Sequence, residues 1–400
     1  MNILKRPPGD SFTFRLFVEL NSKVTRPKSS IYIWSAAIDP HYTGWSAAID
    51  PVYIGQRPDE DGYQHETELY YRSQLTNSIT SDLIVLGIKD HLTSGDFNFW
   101  NDTTPTIVEY IGSMLDFYSE KKFIILTSVE NLEKHLVRPN LRIVPWGGDI
   151  TNHQKEYQTL RPVLEKNLES SYTFLSLNRN KRAHRAMLVS YLYALGLENN
   201  GLISCMFKDK VDDLFSYTNW KVSRPELYVE GFQKFKSSTL LLNDDFQIYD
   251  NYNNDNVSNF RNKLSNYYRD TFVEIISETS YTEYCFNLTE KTLNSVYGAS
   301  FPILLCSKGS VQFLRQMGLD MFDDIVDHSY DTIDDPAIRL ETAITKNLKL
   351  LTDNARTKQL WTQNLDRFKN NIDFCQKRMY NYYNSRSIDL FKEIINDPNF

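Results

Sequence analysis

The chain has 400 residues, 41% of them hydrophobic and 24% charged, with a formal net charge of -7. That is ordinary globular composition, which excludes long disorder, and the length exceeds one comfortable core, predicting two or three domains. The acidic balance argues against a general nucleic-acid coat, whose affinity rests on neutralising phosphates.

The opening "MNILKRPPGDSFTFRLF" lacks a long apolar core of the signal-peptide kind, and no window approaches the ~18 to 20 apolar residues of a membrane span. Cys205, Cys285, Cys306 and Cys375 have no CxxC spacing, so neither a zinc site nor a disulfide framework is indicated. A soluble protein of a reducing compartment is expected: cytoplasmic, or in the host cytoplasm if the source is viral.

An internal repeat follows, "YIWSAAIDPHY" then "TGWSAAIDPVY", aligning Trp34 with Trp45, Asp39 with Asp50 and Tyr42 with Tyr53. Two copies are too few for a solenoid. The expectation is a duplicated surface loop, with an acceptor-binding loop as the alternative.

From residue 82 the pattern turns to α/β alternation. "DLIVLGI", "KKFIILTS" and "LRIVPW" read as strands, with helical spacing in "TPTIVEYIGSMLDFY" and "VENLEKHL" between them. Residues 147–170 read as a linker. A second alternation then gives the strands "YTFLSL", "FVEIISE" and "FPILLCS". Helices are expected over residues 186–195, ended by Gly196, from Thr289, and from Ser310, ended by Gly318. The tail over 357–383 is helical and amphipathic. The resulting fold class is α/β with two Rossmann-like halves, residues 1–165 and 166–350, and a C-terminal helical segment, 351–400, bracing the first.

Two strand-to-helix turns carry charge in the same place. "NRNKRAHR" sets Arg179, Lys181, Arg182 and Arg185 at a helix start without an acidic residue among them. Cations there oppose the helix dipole by ~0.3 to 1 kcal/mol each, so a phosphate or pyrophosphate is the expected counter-charge, with a solvated basic turn as the alternative. In "FNLTEKTLNSVYG" Thr289 is the expected N-cap and Glu290 the first helical residue, which leaves Lys291 unexplained by capping. The acidic "DHSYDTIDDP" lacks the order of a calcium loop and reads as a packed or solvated turn.

The segment "NLTEKTLNSVYGASFPILLCSKGSVQFLRQMGLDMFDDIVDHSYDTIDDPAIRLE", with "FLSLNRNKRAHR" upstream, resembles the C-terminal donor-binding half of a family of bacterial and viral glycosyltransferases; its "TEKT" turn is similar to that of the α1,3-fucosyltransferases. The resemblance spans residues 171–345. It implies the GT-B architecture, two facing Rossmann-like domains, with the sugar nucleotide held by the second. Carried over by position, it implies that Arg179 and Lys181 or Arg182 hold the diphosphate, Glu290 the ribose and Lys291 a phosphate oxygen. The pattern departs at "GASFP", where Gly298 is displaced from its usual place directly before the strand.

Residues 1–170 carry no matching motif. Asp90 and His91 follow the strand "LIVLGI", at the strand edge where open α/β sheets bind ligands, and are the candidates for a catalytic base. Asp39, Asp50 and Glu66 compete with them. The expected reaction is attack of an acceptor hydroxyl on the donor's anomeric carbon with a nucleoside diphosphate leaving, its charge neutralised by basic residues without a metal and without any other cofactor. The acceptor is a glycan, a protein or, as an alternative for a phage enzyme, a hydroxymethylated base in DNA. A catalytically inert nucleotide-binding scaffold is the rival from another class.

Overall fold

The computed structural model describes residues 31–36, 83–88, 119–127, 132–145, 160–178, 182–205, 220, 222–238, 264–279, 281 and 288–397. These fall into two compact units. One holds the described residues up to 145 together with those from 381 onward, and the other runs from 160 to 380.

The first unit is a parallel sheet of β1 (Ile31–Ala36), β2 (Leu83–Ile88), β3 (Lys122–Thr127) and β4 (Leu141–Pro145), in that spatial order. Ile31 pairs with Leu83, and Leu83 with Lys122. Strands covered on both faces read as unbroken apolar runs rather than alternations, and Phe123, Ile124, Ile125 and Leu126 are indeed buried. The short helix α1 (Leu132–His135) precedes β4. One expectation changes here: part of the first repeat copy, "YIWSA", lies in β1 instead of a loop. Ile31, Tyr32, Ile33 and Trp34 are β-branched or aromatic, which favours a strand position. The second copy lies outside the described residues, as does the helix expected over 104–118.

The second unit contains β5 (Phe174–Ser176), α2 (Ala183–Ala194), β6 (Gly201–Ile203), α3 (Pro225–Ser237), α4 (Ser265–Asp270), β7 (Val273–Ser277), α5 (Glu290–Tyr297), β8 (Phe301–Leu305) and α6 (Ser310–Met317). Its strands are again all parallel, in the order β6-β5-β7-β8. Every residue of these four strands is buried. Gly196 and Gly318 take left-handed φ values of 69° and 108° and stop the chain's helical course after α2 and α6, as expected of glycines just past a helix end.

The displaced glycine after α5 has a different job. Gly298 is right-handed, and the left-handed position is Ala299, at φ 48°. A Cβ on Gly298 would come within 2.2 Å of the Tyr268 ring, so the glycine is there for close approach and the turn falls one residue later. The Trp361 indole donates to the Ala299 carbonyl at 2.7 Å and helps hold it.

The expected linker is partly built into this unit. Val163 N–H donates to the Tyr297 carbonyl and Asn167 N–H to that of Arg269, so residues 160–170 strap the second unit ahead of the 165/166 boundary. The C-terminal helices α7 (Pro336–Lys346), α8 (Leu348–Thr352), α9 (Asn354–Gln363) and α10 (Leu365–Lys377) belong to the same unit. Phe368 packs on Phe301 and Phe322, and Asn354 donates to the Tyr172 carbonyl. The last helix, α11 (Met379–Asn396), carries Ser387, whose hydroxyl donates to the Pro145 carbonyl at the end of β4. The tail thus divides at residue 380 rather than passing whole to the first unit.

Candidate functional site

In the order β6-β5-β7-β8 the chain leaves β5 to lay β6 on one side and returns to lay β7 on the other. The connections leaving β5 and β7 therefore diverge, and open α/β sheets bind ligands in the crevice such a switch creates at the carboxyl ends of the strands. The segment leaving β5 contains "NRNKR" and leads into α2; the one leaving β7 leads to "TEKT" and α5. The chain thus leaves adjacent parallel strands at the same edge of one sheet on its way to α2 and to α5.

The turn at α5 is organised by Glu278, which directly follows β7 and is fully buried. One carboxylate oxygen, Oε1, accepts the Thr289 N–H at 3.1 Å and the Thr292 hydroxyl at 2.7 Å. The other, Oε2, accepts the Thr289 hydroxyl at 2.6 Å and lies 3.9 Å from the Lys291 ammonium. Thr289 is the N-cap, its Oγ1 accepting from the Lys291 N–H at 3.4 Å, and Glu290 opens the helix. The Lys291 Nζ donates to Thr289 Oγ1 at 2.9 Å and to Glu290 Oε1 at 3.2 Å. The side chains of Glu290 and Lys291 keep 25% and 23% of their exposure, enough for both to meet a ligand.

At the start of α2, Arg182 is a half-buried N-cap residue that makes no side-chain cap bond, and the first turn holds no acid. Arg185, grouped from sequence with the phosphate-binding cations, is instead a core residue: its Nη2 donates to the carbonyls of Ser277 at 3.0 Å and Glu278 at 3.2 Å. Helical periodicity explains this, because the third residue of α2 turns toward β7. His184 Nε2 also bonds the Glu278 carbonyl, at 2.9 Å. Asn178, buried at the end of β5, donates through Nδ2 to the carbonyl of Ser204 and the hydroxyl of Ser176. Arg179, Lys181, Asp90 and His91 lie outside the described residues, as do Asp39, Asp50 and Glu66.

The next helix start on this edge, that of α6, is closed from within. Buried Asp331 accepts the N–H groups of Val311 at 3.2 Å and Gln312 at 3.0 Å. The hydroxyl oxygen of its neighbour Tyr330 accepts the Leu304 N–H at 2.9 Å and pairs with His328 Nδ1 at 3.0 Å. "DHSYDTIDDP" is therefore a packed turn, and Asp335 within it caps α7 through the N–H groups of Ala337 and Ile338. Burial pushes the His328 imidazole below its ordinary range. Glu278 and Asp331 are the two residues that reading the sequence did not single out. For Glu278 the available signal was a carboxylate directly after the buried strand "FVEIIS", where it must find donors to be buried at all.

An apolar cavity lined by Ile276, Leu314, Met321, Phe322 and Phe368 has Asp320 as its one charged lining residue, and Arg367 already holds that carboxylate at 2.6 Å. It does not suit an anionic ligand. Among the described residues no helix is long and apolar enough to cross a membrane. Comparison with protein-family models, with curated proteins and with solved structures returns no match to this chain.

Proposed function

We propose that the chain is a glycosyltransferase that moves a sugar from a nucleoside-diphosphate donor to an acceptor hydroxyl, with the donor at the carboxyl edge of the second sheet. The observation that supports this reading is the order β6-β5-β7-β8, in which the segments leading to α2 and to α5 leave adjacent strands beside the topological switch. An anion is the natural occupant: α5 and α6 begin on internal carboxylates, whereas α2 begins among cations.

In this reading Arg179, Lys181 and Arg182 neutralise the departing diphosphate at the start of α2. Lys291 meets a phosphate oxygen, and Glu290 accepts from the ribose hydroxyls. These cations supply the charge that a metal would otherwise provide. The first unit supplies the acceptor side in a GT-B arrangement, with Asp90 or His91 taking the acceptor's proton.

A panel of nucleoside diphosphates and their sugar conjugates, run in EDTA for thermal stabilisation and for slow release of free sugar, tests the reading. One base should raise the melting temperature, by the equivalent of ~2.7 kcal/mol at 100 times its dissociation constant, and its sugar conjugate should be hydrolysed. Stabilisation without hydrolysis or transfer would leave an inert nucleotide-binding protein, and no stabilisation by any member would remove the reading.

A further inference from the structure

Lys291 is a flexible side chain on a short helix, yet its ammonium is held from below by a chain of bonds that ends on a buried carboxylate. The Thr289 hydroxyl gives its one proton to Glu278 Oε2 at 2.6 Å and accepts from Lys291 twice, from N–H at 3.4 Å and from Nζ at 2.9 Å. A hydroxyl has one proton and two lone pairs, so all of its capacity is used and its direction is fixed. What fixes it is Glu278, an acceptor-only group when ionised. The same residue reaches the other turn through its backbone, since its carbonyl accepts from His184 Nε2 at 2.9 Å and Arg185 Nη2 at 3.2 Å.

We infer that Glu278 is a positioning residue for the donor site, aiming the Lys291 ammonium through Thr289 while its carbonyl ties down the first turn of α2. The inference rests on the proposed function for what Lys291 meets, and on hydrogen-bond geometry alone for how Lys291 is held. The Glu290 contact to Lys291 is partly exposed and gives way when Glu290 turns to a ribose. The part-buried contact to Thr289, backed by the buried Thr289–Glu278 bond, stays, so the ammonium keeps its place when the donor arrives. A site preorganised in this way does not spend binding free energy on ordering a lysine.

Glu278→Gln preserves shape but reverses the relay. A Gln Nε2 placed where Oε2 sits is a donor, the Thr289 hydroxyl must turn to accept from it, and the Lys291 ammonium is left with its partly exposed contact to Glu290. Two measurements follow. The first is acylation of Lys291 by a water-soluble N-hydroxysuccinimide ester, read by peptide mass spectrometry: its rate should rise several-fold in Glu278→Gln and in Thr289→Ala, and stay near wild type in Thr289→Ser. An unchanged rate in both of the first two variants overturns the inference without any nucleotide present. The second is the affinity for UDP and GDP in four proteins: wild type, Glu278→Gln, Lys291→Ala and the double variant. Glu278→Gln should weaken binding about ten-fold or more, and the double variant should bind no more weakly than Lys291→Ala alone. Fully additive losses would show that Glu278 does not act through Lys291, which also overturns it. If wild type binds neither nucleotide, nor any other of the panel, the proposed function fails while the acylation result still decides how Lys291 is held. Should Glu278→Gln not fold, Thr289→Ala against Thr289→Ser makes the same comparison, because only the serine keeps the relay hydroxyl.

Discussion

The two edges of the second sheet use charge in opposite ways. At the amino edge, the half-buried Lys166 sends its ammonium to the carbonyls of Tyr268 at 2.8 Å, Thr271 at 2.6 Å and Gly298 at 2.7 Å. Close by, the buried Glu274 carboxyl receives the Tyr268 hydroxyl at 2.8 Å. All of these partners come from the unit itself, and together they fasten the strap, α4 and the end of α5. At the carboxyl edge, buried acids close the starts of α5 and α6, while the start of α2 is basic and the side chains of Glu290 and Lys291 remain partly exposed. The same sheet thus has one edge whose charges serve folding and one that combines buried charges with the partly exposed pair Glu290 and Lys291. Variants at the two edges should accordingly separate stability from binding.

The largest loss of stability should come from Lys166→Met. Methionine fills similar space but donates nothing, so three carbonyls lose a charge-assisted bond at once. The cost should be about 3 kcal/mol in urea denaturation, with nucleotide affinity of the folded protein unchanged. A loss of affinity matching the loss of stability would blur the division between the edges.

Glu274 should make stability depend on pH. Burial raises its carboxyl to about 8, opposed by its bond with Tyr268 and by the Lys166 charge. A carboxyl whose folded value lies above its unfolded one contributes stability that is complete below the unfolded value near ~4.3 and is lost as pH rises through the folded value. Wild type should therefore lose stability between pH 5 and 8 relative to Glu274→Gln, with a difference in slope approaching ~1.4 kcal/mol per pH unit. Lys166, whose ammonium is pushed well below its ordinary range by burial, is raised by the Glu274 charge in wild type only, so the difference in slope reads the coupled pair rather than Glu274 alone. Parallel pH profiles would mean that Glu274 is ionised in the folded state throughout.

Asp331→Asn should have a smaller effect. The side-chain oxygen of asparagine can still accept one of the N–H groups of Val311 and Gln312, but the negative charge at the start of α6 is gone and one acceptor has become a donor. A loss of about 1 to 2 kcal/mol is expected. Because the α6 start is not part of the proposed donor site, nucleotide affinity should stay within two-fold of wild type.

How much of this was visible in the sequence differs between the edges for physical reasons. Strands buried on both faces announce themselves as apolar runs, so "YTFLSL", "FVEIIS" and "FPILL" were legible, as were the glycines past α2 and α6 and the Thr289 cap. Those signals are local. The role of Arg185 was not legible, because a basic residue one turn into a helix reads as surface until its pairing with the Ser277 and Glu278 carbonyls is seen. Lys166 was hidden for the same reason: it sits in a polar segment with linker composition, and its three acceptors lie more than a hundred residues downstream. The "YIWSA" strand was masked by the repeat, whose duplication suggested a tolerant loop while its side chains favoured a strand.

The smallest expected change in stability is at Lys291, and it gives the sharpest test of the division between edges. Its ammonium bonds with Thr289 and Glu290 are partly exposed, a setting in which ion pairs contribute ~0 to 1 kcal/mol. Against that, a cation in the first turn of α5 opposes the helix dipole by ~0.3 to 1 kcal/mol. The two terms nearly cancel, so Lys291→Ala should melt within about 0.5 kcal/mol of wild type. Its affinity for a nucleoside diphosphate should nonetheless fall about 10 to 150-fold, the loss of one charge-assisted bond to phosphate. Glu290→Gln should behave differently again: a few tenths of a kcal/mol in stability, and a larger loss of affinity for the ribonucleotide than for its deoxy analogue, since the deoxy sugar offers one hydroxyl fewer. If instead both variants bind the nucleotide like wild type, Glu290 and Lys291 serve only the start of α5, and the carboxyl edge is as much a folding device as the amino edge.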